Sequence, residues 1–191
     1  MKTLKITLSL FIIFSTAVGF AQDDTDDFHT VAISIPQVAL VDIESTVGSN
    51  NLTLGFTAPT EAGDPLGDPT NNTSLWLNYS SIKSAAGITN TVSVKLDAVL
   101  PGVDINVTAA AAAPSVGDGT LGTVTGAAVT LTTGDLPIVS NIGSSYTGDG
   151  SGAGHNLTYS VDGATTGTAN YEDLVATSGT TVTVTYTISD N

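Results

Sequence analysis

Apolar and polar residues alternate with a period of two along most of the chain, and the last segment shows the pattern most clearly. Between residues 181 and 189, Val182, Val184, Tyr186 and Ile188 alternate with hydroxyl-bearing residues. A half-buried β-strand places every second side chain on one face, so this pattern predicts a strand whose apolar row lies on the core. Five further segments show the same alternation: Leu52–Phe56, Leu75–Tyr79, Val92–Leu96, Val103–Val107 and Leu157–Val161.

A proline interrupts the pattern near the N-terminus. The run Val31–Ile35 predicts a strand, but Pro36 lacks a backbone donor and the alternation resumes out of phase at Ala39. We interpret this as a bulge or kink on an edge strand. Shorter strands are predicted at Val129–Leu131 and at Pro137–Ile142.

Turn signals separate these segments, and no stretch of helical periodicity exceeds a few turns. The sequence therefore predicts an all-β fold of about 8–10 strands. A two-sheet antiparallel sandwich with Ig-like, Greek-key connections is the expected arrangement, and a partly open barrel is the alternative. The run Ala109–Ala113 could form one helical turn or a tight strand edge. The turn signals are Gly63-Asp64-Pro65, Gly67-Asp68-Pro69, Pro101-Gly102, Gly134-Asp135, Gly148–Gly154 and Asp162-Gly163.

The first residues have the organisation of a secretory signal peptide. Two lysines precede the apolar run Ile6–Phe14, and Gly19 and Ala21 are small residues at the expected positions before a cut at Gln22. The apolar run is too short to span a bilayer as a helix. Residues 1–21 therefore predict export to the exterior or the cell surface without membrane insertion.

The rest of the chain divides into a short leader and one domain. Residues 22–30 contain four aspartates and offer only Phe28 for burial, which predicts a flexible acidic leader. The length of residues 31–191 fits a single domain. The chain has no cysteine, so it forms no disulfides and has no thiolate metal ligands.

The charge of the chain excludes one class of partner. Removal of the signal leaves Lys83 and Lys95 against all 18 acidic residues, a net charge of −16. Because binding to a phosphate backbone needs several cations on one face, nucleic acid is excluded. The same charge favours solubility and divalent cations. It predicts either adaptation to a salty exterior or dedicated cation binding.

The inventory of reactive side chains predicts no enzyme and no catalytic residue. His29 lies in the leader, and His155 lies beside a glycine-rich loop that also contains Asp149 and Ser151. A mobile glycine loop is a poor platform for a catalytic triad. A carboxylate pair could support hydrolysis, but most of the acids lie in turns, where aspartate ordinarily bonds its own backbone.

Calcium is the only cofactor for which the sequence provides candidate ligands. Asp64 and Asp68 could converge on one ion, as could Asp149 with Asp118, because calcium accepts shells made entirely of oxygen ligands. Neither stretch has the EF-hand spacing. The glycine-rich run Gly148–Gly154 lacks the basic residue and the following helix of a phosphate-binding loop.

Trp76 is the only tryptophan and lies on the strand face opposite Leu75 and Leu77. Either a second sheet or a loop covers this face, or the indole forms an exposed platform for a glycan or a protein partner. The threonines of the last strand suggest an ice-binding array, but no fixed internal repeat accompanies them. High strand propensity is the simpler explanation for these threonines.

Five segments have a recognisable pattern of strands and turns: Val38–Glu44, Leu52–Leu66, Leu75–Ser81, Ile142–Ser160 and Val182–Ile188. They resemble a group of small secreted bacterial proteins that lack an assigned function. The ending T-V-T-V-T-Y is also similar to that of spore-coat-U-type and fimbrial subunits, which implies a secreted β-sandwich that assembles on the cell surface. Those relatives commonly contain cysteines, which this chain lacks. The resemblance implies no catalytic residues.

Together these features predict a noncatalytic secreted or cell-surface protein with a structural, adhesion or fibre-subunit role. Strand addition across an exposed sheet edge would give self-assembly or attachment to a surface partner. The alternative is an extracellular binding module for calcium or a glycan. A hydrolase that uses a carboxylate pair is a third hypothesis.

Overall fold

The computed structural model describes residues 25–113, 116–163, 171–177 and 179–190. The predicted signal peptide and the start of the predicted leader lie outside these ranges. The chain divides into two units, Met1–Ser34 and Ile35–Asn191, and every strand belongs to the second unit.

The described residues form nine β-strands and one short 3-10 turn, so the predicted all-β class is confirmed. No helix in the described ranges is long and apolar enough to cross a membrane. The 3-10 turn spans Tyr171–Asp173. The strands are β1 (Val38–Ser45), β2 (Asn72–Ile82), β3 (Asn90–Leu96), β4 (Asp104–Ala109), β5 (Asp118–Val124), β6 (Val129–Thr130), β7 (Leu136–Tyr146), β8 (His155–Asp162) and β9 (Val184–Asp190).

Antiparallel ladders join all nine strands into one sheet. The main path runs β6-β4-β8-β2-β7-β3-β9, while β1 pairs with β2 and β5 pairs with β7. β2 connects the two halves, because its first part pairs with β8 and its residues Ser80 and Ser81 pair with β7. The predicted division into two separate sheets is not confirmed, whereas the predicted number of strands agrees with the structure.

The apolar rows of strands that are distant in ladder order share one core. Leu77 of β2, Val94 of β3 and Leu157 of β8 are fully buried in the same cluster. The hydroxyl groups of Tyr159 on β8 and Tyr186 on β9 lie 2.7 Å apart, although no ladder joins these strands. Burial raises the pKa of Tyr159 to about 12 and raises the pKa of Tyr186 well above its usual value, so both hydroxyls stay protonated at neutral pH. The sheet therefore curls around a single hydrophobic cluster.

The predicted strand at Val31–Ile35 is wrong. Residues 31–37 form no strand, and β1 begins at Val38, two residues after Pro36. Phe28, Val31, Ile33 and Ile35 are each between 71% and 89% exposed. The alternation is strand-like, but no described segment pairs with this backbone, and alternation without a partner cannot make a sheet.

The strand predicted at Leu52–Phe56 is also wrong. Only an isolated bridge forms in this region, between Thr57 and Gly67. Leu52 and Leu54 nevertheless pack against the core while half-exposed. The alternation here correctly indicates which side chains face the core, although the backbone forms no regular ladder.

The strand β5 is absent from the sequence prediction because its apolar positions are too few. It contains Gly119 and Gly122, both with positive φ, and its register with β7 shifts between Gly119 and Leu121. A Cβ at Gly122 would lie 2.6 Å from the Ser140 carbonyl oxygen, so glycine permits the close approach to β7. Of the two alternatives for Ala109–Ala113, the helical turn is wrong, because Ala109 ends β4 and no helix follows; the backbone N–H groups of Ala110 and Ala113 instead donate to the Asn156 and Gly154 carbonyl oxygens.

Candidate functional site

His155 lies at the start of β8 and is 1% exposed. Its Nδ1 lies 2.8 Å from the Ala110 carbonyl oxygen, and its Nε2 lies 3.0 Å from the hydroxyl of Tyr79 on β2. The two rings stack with centroids 5.6 Å apart. Neither ring nitrogen contacts a serine or a carboxylate, so the triad considered with Asp149 and Ser151 is not assembled.

The hydrogen bonds of His155 determine where its proton lies. A carbonyl only accepts, so Nδ1 carries the hydrogen and donates to Ala110, and in the neutral ring Nε2 accepts from Tyr79. The Tyr79 hydroxyl also donates to the Leu121 carbonyl oxygen, which competes with Nε2 for the single hydroxyl proton. Burial lowers the pKa of His155, and the hydrogen bond to Ala110 opposes this shift. The pair is a buried structural element that links β2, β5 and β8.

The buried ring predicts that mild acid weakens the fold. The unfolded chain protonates His155 near its usual pKa of 6.5, whereas the folded chain does so at lower pH. The unfolded state therefore binds more protons below pH 6.5, and we expect the free energy of unfolding to fall by up to about 1.4 kcal/mol per pH unit. Urea unfolding at several pH values between 7 and 5 measures this slope.

Two glutamine variants isolate the contribution of His155. His155→Gln should lose the additional slope, although it also lowers stability at neutral pH. His29→Gln changes the exposed histidine and should keep the wild-type slope. If the free energy of unfolding falls equally as the pH is lowered in wild type and His155→Gln, buried His155 is not the cause of the acid sensitivity.

The structure describes all four candidate calcium ligands. Asp118 begins β5, and its Oδ1 accepts a hydrogen bond of 2.7 Å from the backbone N–H of Gly119. Asp68 Oδ1 accepts a hydrogen bond of 3.1 Å from the backbone N–H of Gly163, and the backbone N–H of Asp64 lies 3.4 Å from the Glu61 carbonyl oxygen. Asp149 is exposed on the glycine-rich loop. Within the described ranges, no three His, Cys, Asp or Glu side chains are grouped so that they could hold an ion. Calcium binding at these positions stays a prediction.

A shallow cleft of about 320 Å³ lies where the end of β2 meets β5 and β7. Apolar surface from Val38, Ile82 and Tyr146 lines it together with several serines. Asp118 is the only carboxylate among the lining residues. Since hydrolysis by a carboxylate pair needs two such groups, this cleft does not present that arrangement.

Four strands pair with only one neighbour among the described residues, and three of them have features that discourage further pairing. β6 has two residues, and β5 contains a register shift and two glycines with positive φ. β1 follows Pro36 and carries the charged residues Asp42 and Glu44. Short length, irregular twist, proline and charge are the devices by which edge strands avoid unwanted pairing.

The fourth edge strand, β9, has regular length and register, no proline and no charge before its last residue, although it lies beside β1 at one end. It pairs with β3 over seven successive residues without a register shift. Val184, Tyr186 and Ile188 are half-buried against the core, Thr185 and Thr187 are exposed, and the first charge comes only at the last residue. At that end Asp190 Oδ2 accepts a hydrogen bond of 2.9 Å from Gln37 Nε2, beside the start of β1. We call β9 the unguarded edge.

Trp76 of β2 lies on the face opposite the core and is half-buried. Its ladder partners are Glu44 of β1 on one side and Asn156 of β8 on the other. The three side chains form one row across three strands, which we call the Trp76 row. The sequence indicated the face on which Trp76 lies, but Glu44 and Asn156 were missed because strand register is not encoded locally.

No family model, curated protein or solved structure matches this chain. The resemblance to small secreted proteins and to fimbrial subunits therefore stays a prediction. Within the described part of the chain, the unguarded edge and the Trp76 row are the surfaces from which a function is proposed.

Proposed function

We propose that this chain is a noncatalytic secreted or cell-surface protein with a structural or adhesive role, and that copies of it assemble by strand addition at β9. The observation that carries the proposal is the unguarded edge. In the regular register with β3, alternate residues of β9 direct their backbone donors and acceptors away from β3, toward the side where another strand can add.

The charge distribution favours β9 over the other edges. The predicted processed chain has a net charge of −16, so two copies repel each other over most of their surfaces. Residues 181–189 contain no charged side chain. Contact at this segment therefore brings two copies together with less like-charge repulsion than contact at β1, which carries Asp42 and Glu44.

The chain also contains a strand-like segment suited to this edge. Val31, Ile33 and Ile35 form an exposed row with a period of two, which we call the N-terminal apolar row. Val184, Tyr186 and Ile188 have the same spacing and are half-buried on β9. If the row of one copy pairs with β9 of the next, the contact is heterologous and produces open chains of subunits.

Charge substitutions on β9 test the proposal. The protein is expressed from its complete sequence, and the extracellular fraction should contain a chain that begins at Gln22. We expect concentration-dependent assembly by light scattering and electron microscopy. Thr187→Glu adds a like charge at an exposed position of the edge and should raise the dissociation constant by about tenfold or more.

Matched variants separate the edge from general charge effects. Thr123→Glu makes the same change on the exposed side of β5 and should leave assembly unchanged. Ile33→Asp should weaken assembly if the N-terminal apolar row is the added strand, whereas Ala32→Asp should not. A wild-type protein that is monomeric at every concentration refutes assembly.

A further inference from the structure

We propose that the Trp76 row is a binding site for glycans that contain amino sugars. The site lies on the face of the sheet opposite the core and is separate from the assembly edge. Its three members come from β1, β2 and β8, which makes the row a feature of the folded sheet rather than of one segment.

The register gives the row a defined width. Directly paired residues on antiparallel strands have Cβ atoms about 5 Å apart, so Glu44 and Asn156 lie immediately on either side of the indole. Asn156 Nδ2 donates to the carbonyl oxygens of Thr73 and Leu75, at 2.9 and 3.2 Å, which fixes its amide in place. The Asn156 side chain is thus oriented before any ligand arrives.

The glycine-rich loop borders the row on one side. Asn78 follows Trp76 on the same face and donates from Nδ2 to the Gly150 carbonyl oxygen at 3.0 Å. Asn78 is 4% exposed, whereas Trp76 is half-buried. The loop therefore covers the face at Asn78, and the indole beside it keeps contact with solvent.

The chemistry of the row matches an amino sugar. The indole offers an apolar face for the C–H side of a pyranose ring, and tryptophan is the best aromatic partner for a cation. The Glu44 carboxylate has no hydrogen-bond or ion-pair partner among the described residues, so it is available to accept from an ammonium or hydroxyl group. On the other side of the ring, the Asn156 amide nitrogen already donates to two backbone carbonyls, so its oxygen is the group left to accept from a sugar.

Charge selects among sugars of similar shape. Uronic or sulfated glycans meet a like-charged protein whose row itself contains Glu44 and lies next to Asp42 on β1. A glycan with amino groups meets a complementary field. This complementarity makes an amino-sugar chain the occupant we infer.

The single tryptophan makes the row directly observable, because all indole fluorescence of the protein comes from Trp76. We expect a glucosamine oligosaccharide to shift this emission saturably, with a neutral cello-oligosaccharide binding more weakly and polygalacturonate not at all. Glu44→Gln should weaken glucosamine-oligomer binding by about tenfold, because a charge-assisted hydrogen bond is lost. Glu61→Gln, an equal charge change at an exposed turn, should weaken it by about twofold or less.

Three outcomes would overturn the assignment. The first is no response to the glucosamine oligomer from a protein whose thermal unfolding is cooperative. The second is an equal shift of the Trp76 emission by oligolysine of the same charge, or an equal loss of glucosamine-oligomer affinity in Glu44→Gln and Glu61→Gln. Either result would mean that the protein attracts any polycation. The third is unchanged affinity by calorimetry in Trp76→Phe, with its fold verified by circular dichroism. Assembly by light scattering is a separate readout, so failure here leaves the function of the unguarded edge untouched.

Discussion

Replacing Leu77 with alanine is expected to lower the free energy of unfolding by about 2–5 kcal/mol. Leu77 is 0% exposed and lies in the central strand β2, which forms ladders with β1, β7 and β8. The shorter side chain loses its transfer free energy and leaves a cavity that strands held on both sides cannot collapse to fill. Because small domains are stable by about 5–15 kcal/mol, the loss is a large part of the total.

Leu40→Ala is the matched control for this experiment. Leu40 lies on the edge strand β1 and is 66% exposed, so the same truncation should change the free energy of unfolding by about 0.5 kcal/mol or less. Urea unfolding followed by circular dichroism compares the two variants. Similar losses for Leu40→Ala and Leu77→Ala would show that the core does not lie where the alternating pattern and the structure place it.

The alternation of side chains predicted the fold class and most of the core because it is a local property of a strand. Leu75, Leu77, Val92, Val94 and Leu157 were all assigned to inward rows, and all are buried. A period of two needs no knowledge of partners. The class of the fold and the face of each strand are therefore accessible from the sequence.

Pairing is a property of two segments, and here the sequence prediction failed. Ile33 lies in an alternating run but has no described strand beside it, whereas Gly119 lies in β5 without any alternation. The strand predicted at Pro137–Ile142 is confirmed, but its full length was missed: β3 and β5 hold β7 as an 11-residue strand despite Pro137 and Asn141, the latter with a φ of 59°. Partners on both sides override local propensity.

For both candidate surfaces, the sequence predicts the strand and its faces but not the neighbouring strands. The threonine-rich segment ending at Ser189 is recognisable as a strand, and its lack of charge is visible in the sequence. That β9 differs from the other edge strands among the described residues is visible only once β1, β5 and β6 are placed in the sheet. Likewise, the sequence places Trp76 opposite the core, but only the register brings Glu44 and Asn156 beside it.

Replacing Gly154 with alanine is expected to lower the free energy of unfolding by about 2–4 kcal/mol, from strain and overpacking together. Gly154 has a φ of +67°, a left-handed conformation that costs other residues energy. A Cβ there would overlap the Leu77 carbonyl oxygen and lie 2.6 Å from Asn78 Oδ1. Both neighbours belong to β2, so the loop must move.

Gly152→Ala separates the two causes. Gly152 has a φ of +97°, but a Cβ added there would meet no atom within 4 Å, so only the backbone strain of about 1 kcal/mol applies. Because the loop that Gly154 anchors borders Trp76, Gly154→Ala should also shift the indole emission, whereas Gly152→Ala should not. Equal losses of stability in urea unfolding, with unchanged emission in both variants, would show that the loop does not pack against β2. The glycine-rich loop would then not border the Trp76 row, because Asn78 would not hold the loop beside the indole.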